Sequence, residues 1–429
     1  MKRLLIPGLL LGLLLGGQAQ AQRPDAPLYA QRGPYPVGTQ ELVIDDGRGM
    51  PLTVTIWYPA LNPNDLPEEA AYRVLIVDFQ GHALRDAAPD LSGAPYPLVL
   101  FSHGAGGVRI NSLWFTEHLA SHGFVVLAAD HPGHTMIDFL QSQDSFSTNV
   151  TGTLATRPLD LLRLLDYAAG TWGELADTDH VAVTGHSFGG WTALSAAGGR
   201  IDFDALGAWC ADPPQPEADW ALTPDQQLTY RAGACFMLAE LTGGDGRDPA
   251  ASIHNEAYDL ETLAAEVATQ RGLDAPPEGL WPATTDPRIQ AVLAMAPWNG
   301  PIFGETGLAD VSVPALIMVG SADSSTVPER DAVPMYRALG SEHKALAVFD
   351  HAGHSIFINE CNDFMREFGL FSSCSDEVWD MARVHDLVNH TATAFLKAVL
   401  QDDREAASAL AAIDFAGVEF THSDDFSDF

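Results

Sequence analysis

The chain has 429 residues, 46 % apolar and 18 % charged, with 38 Gly and 28 Pro. This is a globular composition with ample material for a core, so collagen-like and wholly disordered chains are excluded. Asp and Glu number 57 against 22 Lys and Arg, a net charge of −35; such a surface repels phosphate backbones and anionic head groups, which rules out nucleic acid as a partner.

From the N-terminus, Lys2 and Arg3 precede an apolar run from Leu4 to Leu15, and Ala19-Gln20-Ala21 follows as a small-x-small site. This layout predicts a secretory signal peptide over residues 1–21, with a retained anchor as the alternative, and hence a secreted or periplasmic protein. No later run approaches ~18 uninterrupted apolar residues, so no membrane span is expected. Residues 22–39, rich in Pro, Gly and Gln, predict a linker. Length alone allows two or three domains of about 150 residues, or one large α/β unit; the reading adopted is one domain over residues 40–410.

Gln40 to Pro59 alternates around Asp46-Gly47-Arg48-Gly49 and predicts a β-hairpin. Short apolar strands follow at Leu98–Phe101, Phe124–Ala129, Val181–Thr184, Ile289–Ala296, Ala315–Val319 and Ala345–Phe349. They alternate with helical patterns at Trp114–His122, Leu159–Ala169 and, at the end, Val378–Leu400. Buried strands alternating with helices predict an α/β fold, a mostly parallel sheet covered on both faces. Between about 201 and 285 the rhythm breaks. Two helices are expected there, one capped by Thr223-Pro224-Asp225-Gln226 and one from Asp259 to Arg271, in a cap-like insertion over the sheet. Residues 411–429, with Asp424, Asp425 and Asp428, predict an acidic frayed tail. Export would expose Cys210, Cys235, Cys361 and Cys374 to an oxidising compartment; of three possible pairings the sequence-local one, Cys210 with Cys235 and Cys361 with Cys374, is favoured.

The chemistry centres on Gly185-His186-Ser187-Phe188-Gly189-Gly190, between a strand and a small-residue helix. A sharp strand-to-helix turn exposes a serine hydroxyl and demands glycine at its flanks, so Ser187 is the expected nucleophile. It needs a base, and the base an orienting carboxylate, in chain order Ser, acid, His. Asp323 and His354 each follow a strand at its carboxyl end; His351 and Asp350 are the rival base and acid. An oxyanion needs backbone N–H donors. Phe188 supplies one, and Ala105, in the Gly-rich loop Ser102-His103-Gly104-Ala105-Gly106-Gly107, the other. His186, beside the nucleophile, and His131, in His131-Pro132-Gly133-His134, are expected at the substrate pocket. That histidine pair lacks carboxylate or Cys partners at metal-site spacing, so no metal is expected.

These segments resemble the α/β-hydrolase superfamily. Within it, Ser102-His103-Gly104, Leu119 to Val126, Gly185 to Gly190, Ala296-Pro297-Trp298, Val313 to Ile317, Asp323 and Gly353-His354 look like the group holding bacterial cutinase-like polyesterases and secreted platelet-activating-factor acetylhydrolases. The chain is also similar to proteins described as predicted dienelactone hydrolases, although those with that activity use Cys where Ser187 stands here. The resemblance implies an α/β-hydrolase fold and assigns Trp298 to the pocket wall. Two features depart from the cutinase pattern: Ala105 stands where an aromatic residue is usual, and the 201–285 insertion is extra.

The expected activity is an exported serine carboxylester hydrolase working through an acyl-enzyme. Its expected substrates are short- to mid-chain acyl esters, phospholipid-type esters among them, and it needs no cofactor. The alternatives are a cutinase-like polyester (PET-type) hydrolase on a polymer substrate, an amidase or peptidase using the same triad, and a non-catalytic binding protein.

Overall fold

The apolar runs form strands buried along almost their whole length, because helices cover both faces and leave no alternating polar side. The computed structural model describes residues 23–75, 77–141, 146–216, 222–235 and 259–423; the expected signal peptide lies outside them. In chain order the elements begin with a hairpin, β1 (Val37–Ile44) and β2 (Leu52–Pro59), then a separate ribbon, β3 (Ala70–Val74) with β4 (Val77–Gly81), and a short β5 (Leu84–Arg85). Next come β6 (Tyr96–Ser102), α1 (Leu113–Ser121), β7 (Val125–Ala129), α2 (Met136–Gln141), α3 (Phe146–Thr171), β8 (Ala176–His186) and α4 (Phe188–Ala196). The insertion carries α5 (Phe203–Ala211), α6 (Pro224–Cys235) and α7 (Leu260–Gln270). The chain then returns through β9 (Ile289–Met295), β10 (Ala315–Gly320), α8 (Ala332–Ala338), β11 (Lys344–Phe349), α9 (Asp363–Glu367), α10 (Met381–Gln401), α11 (Arg404–Ala411) and β12 (Val418–His422).

Among the described residues, ten strands make one sheet in the order β12-β11-β10-β9-β8-β6-β7-β2-β1-β5. From β7 to β11 every neighbour is parallel; β2, β1 and β12 join antiparallel at the flanks. Helices α1 and α10 form one covering layer, and α3 with α4 the other. The parallel strands therefore deliver their carboxyl ends, where such sheets bind ligands, to one rim.

Local signals account for the helix starts. Thr223 and Gln226 cap α6 reciprocally: Gln226 N donates to Thr223 Oγ1 at 3.2 Å and Thr223 N to Gln226 Oε1 at 2.9 Å. Asp259 caps α7 and Asp380 caps α10, each carboxylate accepting from an N–H three residues on. Such caps contribute about 1 kcal/mol apiece. The cysteines pair as Cys210–Cys235 and Cys361–Cys374.

Two terminal expectations need correction. The segment expected as a linker is packed down from Arg23 onward. Tyr29 is buried and its N–H donates to His390 Nδ1 at 3.1 Å, while Arg23 pairs with Asp380 at 2.8 Å and Asp386 at 2.7 Å. Gly33 lies so close that a Cβ there would meet Ser121 O at 2.1 Å. Composition suggested freedom, but Arg23, Tyr29 and the close approach of Gly33 to Ser121 anchor the stretch. At the other end, residues 418–422 are not a frayed tail: Val418 to His422 pair with Phe349 to Ala345 as β12. Asp424, Asp425 and Asp428 lie outside the described residues.

Candidate active site

Strand β8 ends at His186 and α4 starts at Phe188, so Ser187 alone turns the chain. It does so at φ 60° and ψ −120°, a backbone conformation that costs a residue with a side chain of order 1–3 kcal/mol and is kept where a site needs it. The surroundings hold it there. Ser187 N donates to Met295 O at 2.9 Å, and Ser187 O accepts from Gly190 N at 2.9 Å and Trp298 N at 3.1 Å. A Cβ on Gly185 would lie 2.4 Å from Gly189 O, and one on Gly189 would lie 1.9 Å from Ser102 O. Glycine is obligatory at both positions because three backbone segments converge.

Asp323 lies fully buried in the loop after β10. Its Oδ1 accepts from Ser325 N and Thr326 N, each at 2.8 Å. Its Oδ2 accepts from Thr326 Oγ1 at 2.7 Å and from His354 Nδ1 at 2.6 Å. Burial works to raise this carboxyl, but the His354 charge and hydrogen bond, with the Thr326 donors, hold it below the usual carboxylate range. With its Nδ1–H donating to the Asp323 carboxylate, His354 is left with Nε2 as its acceptor nitrogen. The ring is partly exposed and stands 4.5 Å from that of His186, the residue preceding Ser187. The rivals His351 and Asp350 point into solvent, with side chains 73 % and 63 % exposed.

The Gly-rich loop meets the serine turn from the other side: a Cβ on Gly104 would lie 3.2 Å from Ser187 Cβ. Neither the Ala105 nor the Phe188 N–H donates to a backbone carbonyl among the described residues. The Phe188 amide also heads α4, where first-turn N–H groups are unsatisfied and the helix dipole is positive.

The other expected pocket residues sit deeper than the sequence suggested. His131 is fully buried, with Nδ1 3.0 Å from Asp160 Oδ2 and Nε2 2.9 Å from Ser102 Oγ. Both ring nitrogens are thus used behind the loop, away from any pocket rim. His186 is buried too and contacts His354 O through Nε2 at 3.2 Å, joining the serine turn to the backbone of the histidine loop. Burial, then the His354 charge, pulls its pKa well below the ordinary value, so it stays neutral. Trp298 is buried, stacked on Phe188 at 4.8 Å and 15°, with its indole N–H on Gly233 O at 2.9 Å. It forms a wall between the serine turn and α6. Among the described residues no group of three or more His, Cys, Asp or Glu side chains is placed to hold a metal ion.

Three contributors escaped the sequence reading. Thr326 doubly bonds Asp323. Gln226 Nε2 donates to Ser321 O at 2.8 Å and Asp323 O at 3.1 Å, bracing the acid's loop from the insertion. Arg157, fully buried on α3, donates to His103 O at 2.8 Å. The Asp323-x-x-Thr326 spacing, a common turn pattern, could have flagged Thr326; nothing local marks the other two.

A mostly parallel sheet with a strained serine turn after a central strand, and an Asp–His pair after two later ones, is the architecture of the α/β hydrolases. The sequence pattern of the alpha/beta hydrolase family matches residues 99–367, more than half of the sequence, and the chain belongs to that family. It is similar to platelet-activating factor acetylhydrolase of Canis lupus familiaris, 27 % identical over 36 % of this chain and 43 % of that one. It is also similar to cutinase 1 of Thermobifida cellulosilytica, 32 % identical over 26 % of this chain and 37 % of that one. The chain thus spans less than half the length of these curated relatives. Among solved structures, a ferulic acid esterase from Streptomyces cinnamoneus superposes with a TM-score of 0.53 at 21 % identity, covering 91 % of this chain and 97 % of that one, a likeness of fold.

Proposed function

We propose that this protein is an exported serine carboxylester hydrolase acting on short- to mid-chain acyl esters, with Ser187, His354 and Asp323 as its triad. The observation that carries the reading is the 2.6 Å contact of His354 Nδ1 with a buried carboxylate, with the His354 ring 4.5 Å from that of His186, the residue before a serine held in a strained strand-to-helix turn. Ser187 Oγ attacks the ester carbonyl as His354 Nε2 takes its proton. Asp323 holds the imidazolium, and the N–H groups of Ala105 and Phe188 receive the oxyanion. Collapse expels the alcohol, which leaves with the proton from His354. Water, activated by the same base, then frees the acid and restores Ser187. The names of the relatives, an acetylhydrolase and cutinases, support ester chemistry. Two disulfides and the basic-then-apolar N-terminus support export. The insertion, tied to the site through Gln226 and Trp298, is read as a cap that favours compact acyl groups over a polymer chain.

The test is initial rates on p-nitrophenyl esters of two to sixteen carbons with wild type and Ser187→Ala. A short-chain optimum abolished by the substitution is expected. A long-chain or polymer-film optimum would replace the small-ester substrate with a polyester or lipid. Full activity in folded Ser187→Ala would overturn the mechanism.

A further inference from the structure

Arg157 is a fully buried guanidinium without a carboxylate bonded to it among the described residues. Its Nη1 donates to His103 O at 2.8 Å, and its Nη2 lies 3.3 Å from Gly104 O and 3.1 Å from His103 Nδ1. The tautomer of His103 resolves these contacts. Its Nε2 accepts from His131 N at 3.1 Å, so Nδ1 carries the proton and donates to Gly104 O at 2.7 Å, and Nη2 is left to serve the carbonyl. The same guanidinium lies 4.8 Å from the centroid of the Phe188 ring. One cation therefore touches both segments that carry the oxyanion donors. Gly104 O is the far end of the peptide unit whose N–H is that of Ala105, so a donor on the oxygen polarises the amide and strengthens the N–H as a donor.

The electrostatic setting gives this arrangement a purpose. Asp160, three residues along α3, is the acid whose charge acts on Arg157, but its oxygens are bonded to His131 and Arg163. His103, His131 and His134 are buried and pulled well below the ordinary histidine pKa, so they are neutral. Burial brings Arg157 itself down to about 9, still charged at pH 7. A buried cation balanced mainly by carbonyl dipoles is expensive to keep. It is useful where a negative charge appears only during the reaction.

We propose that Arg157 is a positioning residue of the oxyanion hole: from behind, it fixes and polarises the Gly104–Ala105 peptide, clamps Phe188, and supplies fixed positive charge to the transient oxyanion. This rests on the triad reading above, and the experiment separates the two. Wild type, Arg157→Lys, Arg157→Met and Phe188→Leu are compared by thermal melting, by kcat and KM on p-nitrophenyl acetate, and by affinity for a trifluoromethyl ketone, which serine converts to an anionic adduct. Arg157→Met is expected to lower kcat by about 10²-fold with KM within about twofold, and to weaken the ketone in proportion, as for loss of an oxyanion donor. Arg157→Lys should fall between. Phe188→Leu keeps both amides but removes the ring, and should lose about fivefold in both readouts. Should Arg157→Met fail to fold, the Lys and Leu variants decide. Folded variants that melt lower but keep kcat and ketone affinity within about twofold would overturn the proposal, leaving Arg157 a packing residue. So would a fall in kcat without weaker ketone binding. Wild type unlabelled by a fluorophosphonate, with Ser187→Ala still active, would instead sink the triad reading.

Discussion

A carboxylate that must stay charged in a dry loop needs donors, and Asp323 has four contacts on two oxygens. The one from Thr326 Oγ1 is removable without changing shape, because valine is nearly isosteric with threonine. Thr326→Val is expected to lower kcat about tenfold with KM unchanged, as for a hydrogen bond to a charged group, checked by steady-state kinetics on a short p-nitrophenyl ester. At this scale the sequence was informative where chemistry is local. Ser187 is marked by its flanking glycines, and Asp323 and His354 by their places after strands. It was silent on Arg157 and misplaced His131. Whether a histidine lines a pocket or lies beneath it depends on partners such as Asp160, 29 residues away.

Elements hold these residues by contacts that no periodicity reveals. Arg330, just before α8, is fully buried, pairs with Asp331 at 2.5 Å, and donates to Thr229 O at 2.8 Å and Ser325 O at 2.8 Å. It thereby fastens α6 to the loop of Asp323. Arg330→Met strands a buried carboxylate and is expected to cost about 3–5 kcal/mol, read from denaturant melts. Helix α1 is fastened differently. Glu117 accepts from Tyr72 Oη at 2.7 Å and His82 N at 2.6 Å, joining α1 to the β3–β4 ribbon. Burial lifts its carboxyl to about 7 from an ordinary 4.5. Between those values the folded chain binds more protons than the unfolded one, so this group's contribution to stability falls as pH rises and levels off above about 7. The stability difference between wild type and Glu117→Gln should therefore drop by up to about 3 kcal/mol from pH 4.5 to 7.5, read from melts at both pH values. The helices and strands themselves were legible because apolar spacing and capping residues are local. The ends of the chain were not: Pro, Gly and Asp describe a composition, whereas Tyr29 and β12 are settled by distant partners.

The whole molecule carries a charge of −35, and its compact state must bring those carboxylates together. Self-repulsion of this kind is screened within about 10 Å at 0.1 M salt. The thermal midpoint is therefore expected to rise between 10 mM and 500 mM NaCl, as followed by circular dichroism; a fall would mean that the Arg–carboxylate pairs outweigh the repulsion. The α/β architecture was readable at this scale because six apolar runs separated by helices admit few other arrangements.

The docking of Arg23 onto Asp380 and Asp386 joins residues 357 and 363 positions apart. A chain synthesised from its N-terminus cannot complete the contacts of Arg23 until α10 has emerged. Nascent chains halted before residue 380 leave Tyr29 without His390 and Arg23 without its acids, a state open to chaperones and proteases. Closing this contact comes late in synthesis, and its long sequence separation carries a loop-closure cost that must be met before the contact repays it. The partly made form has to be guarded for as long as the last helix takes to arrive.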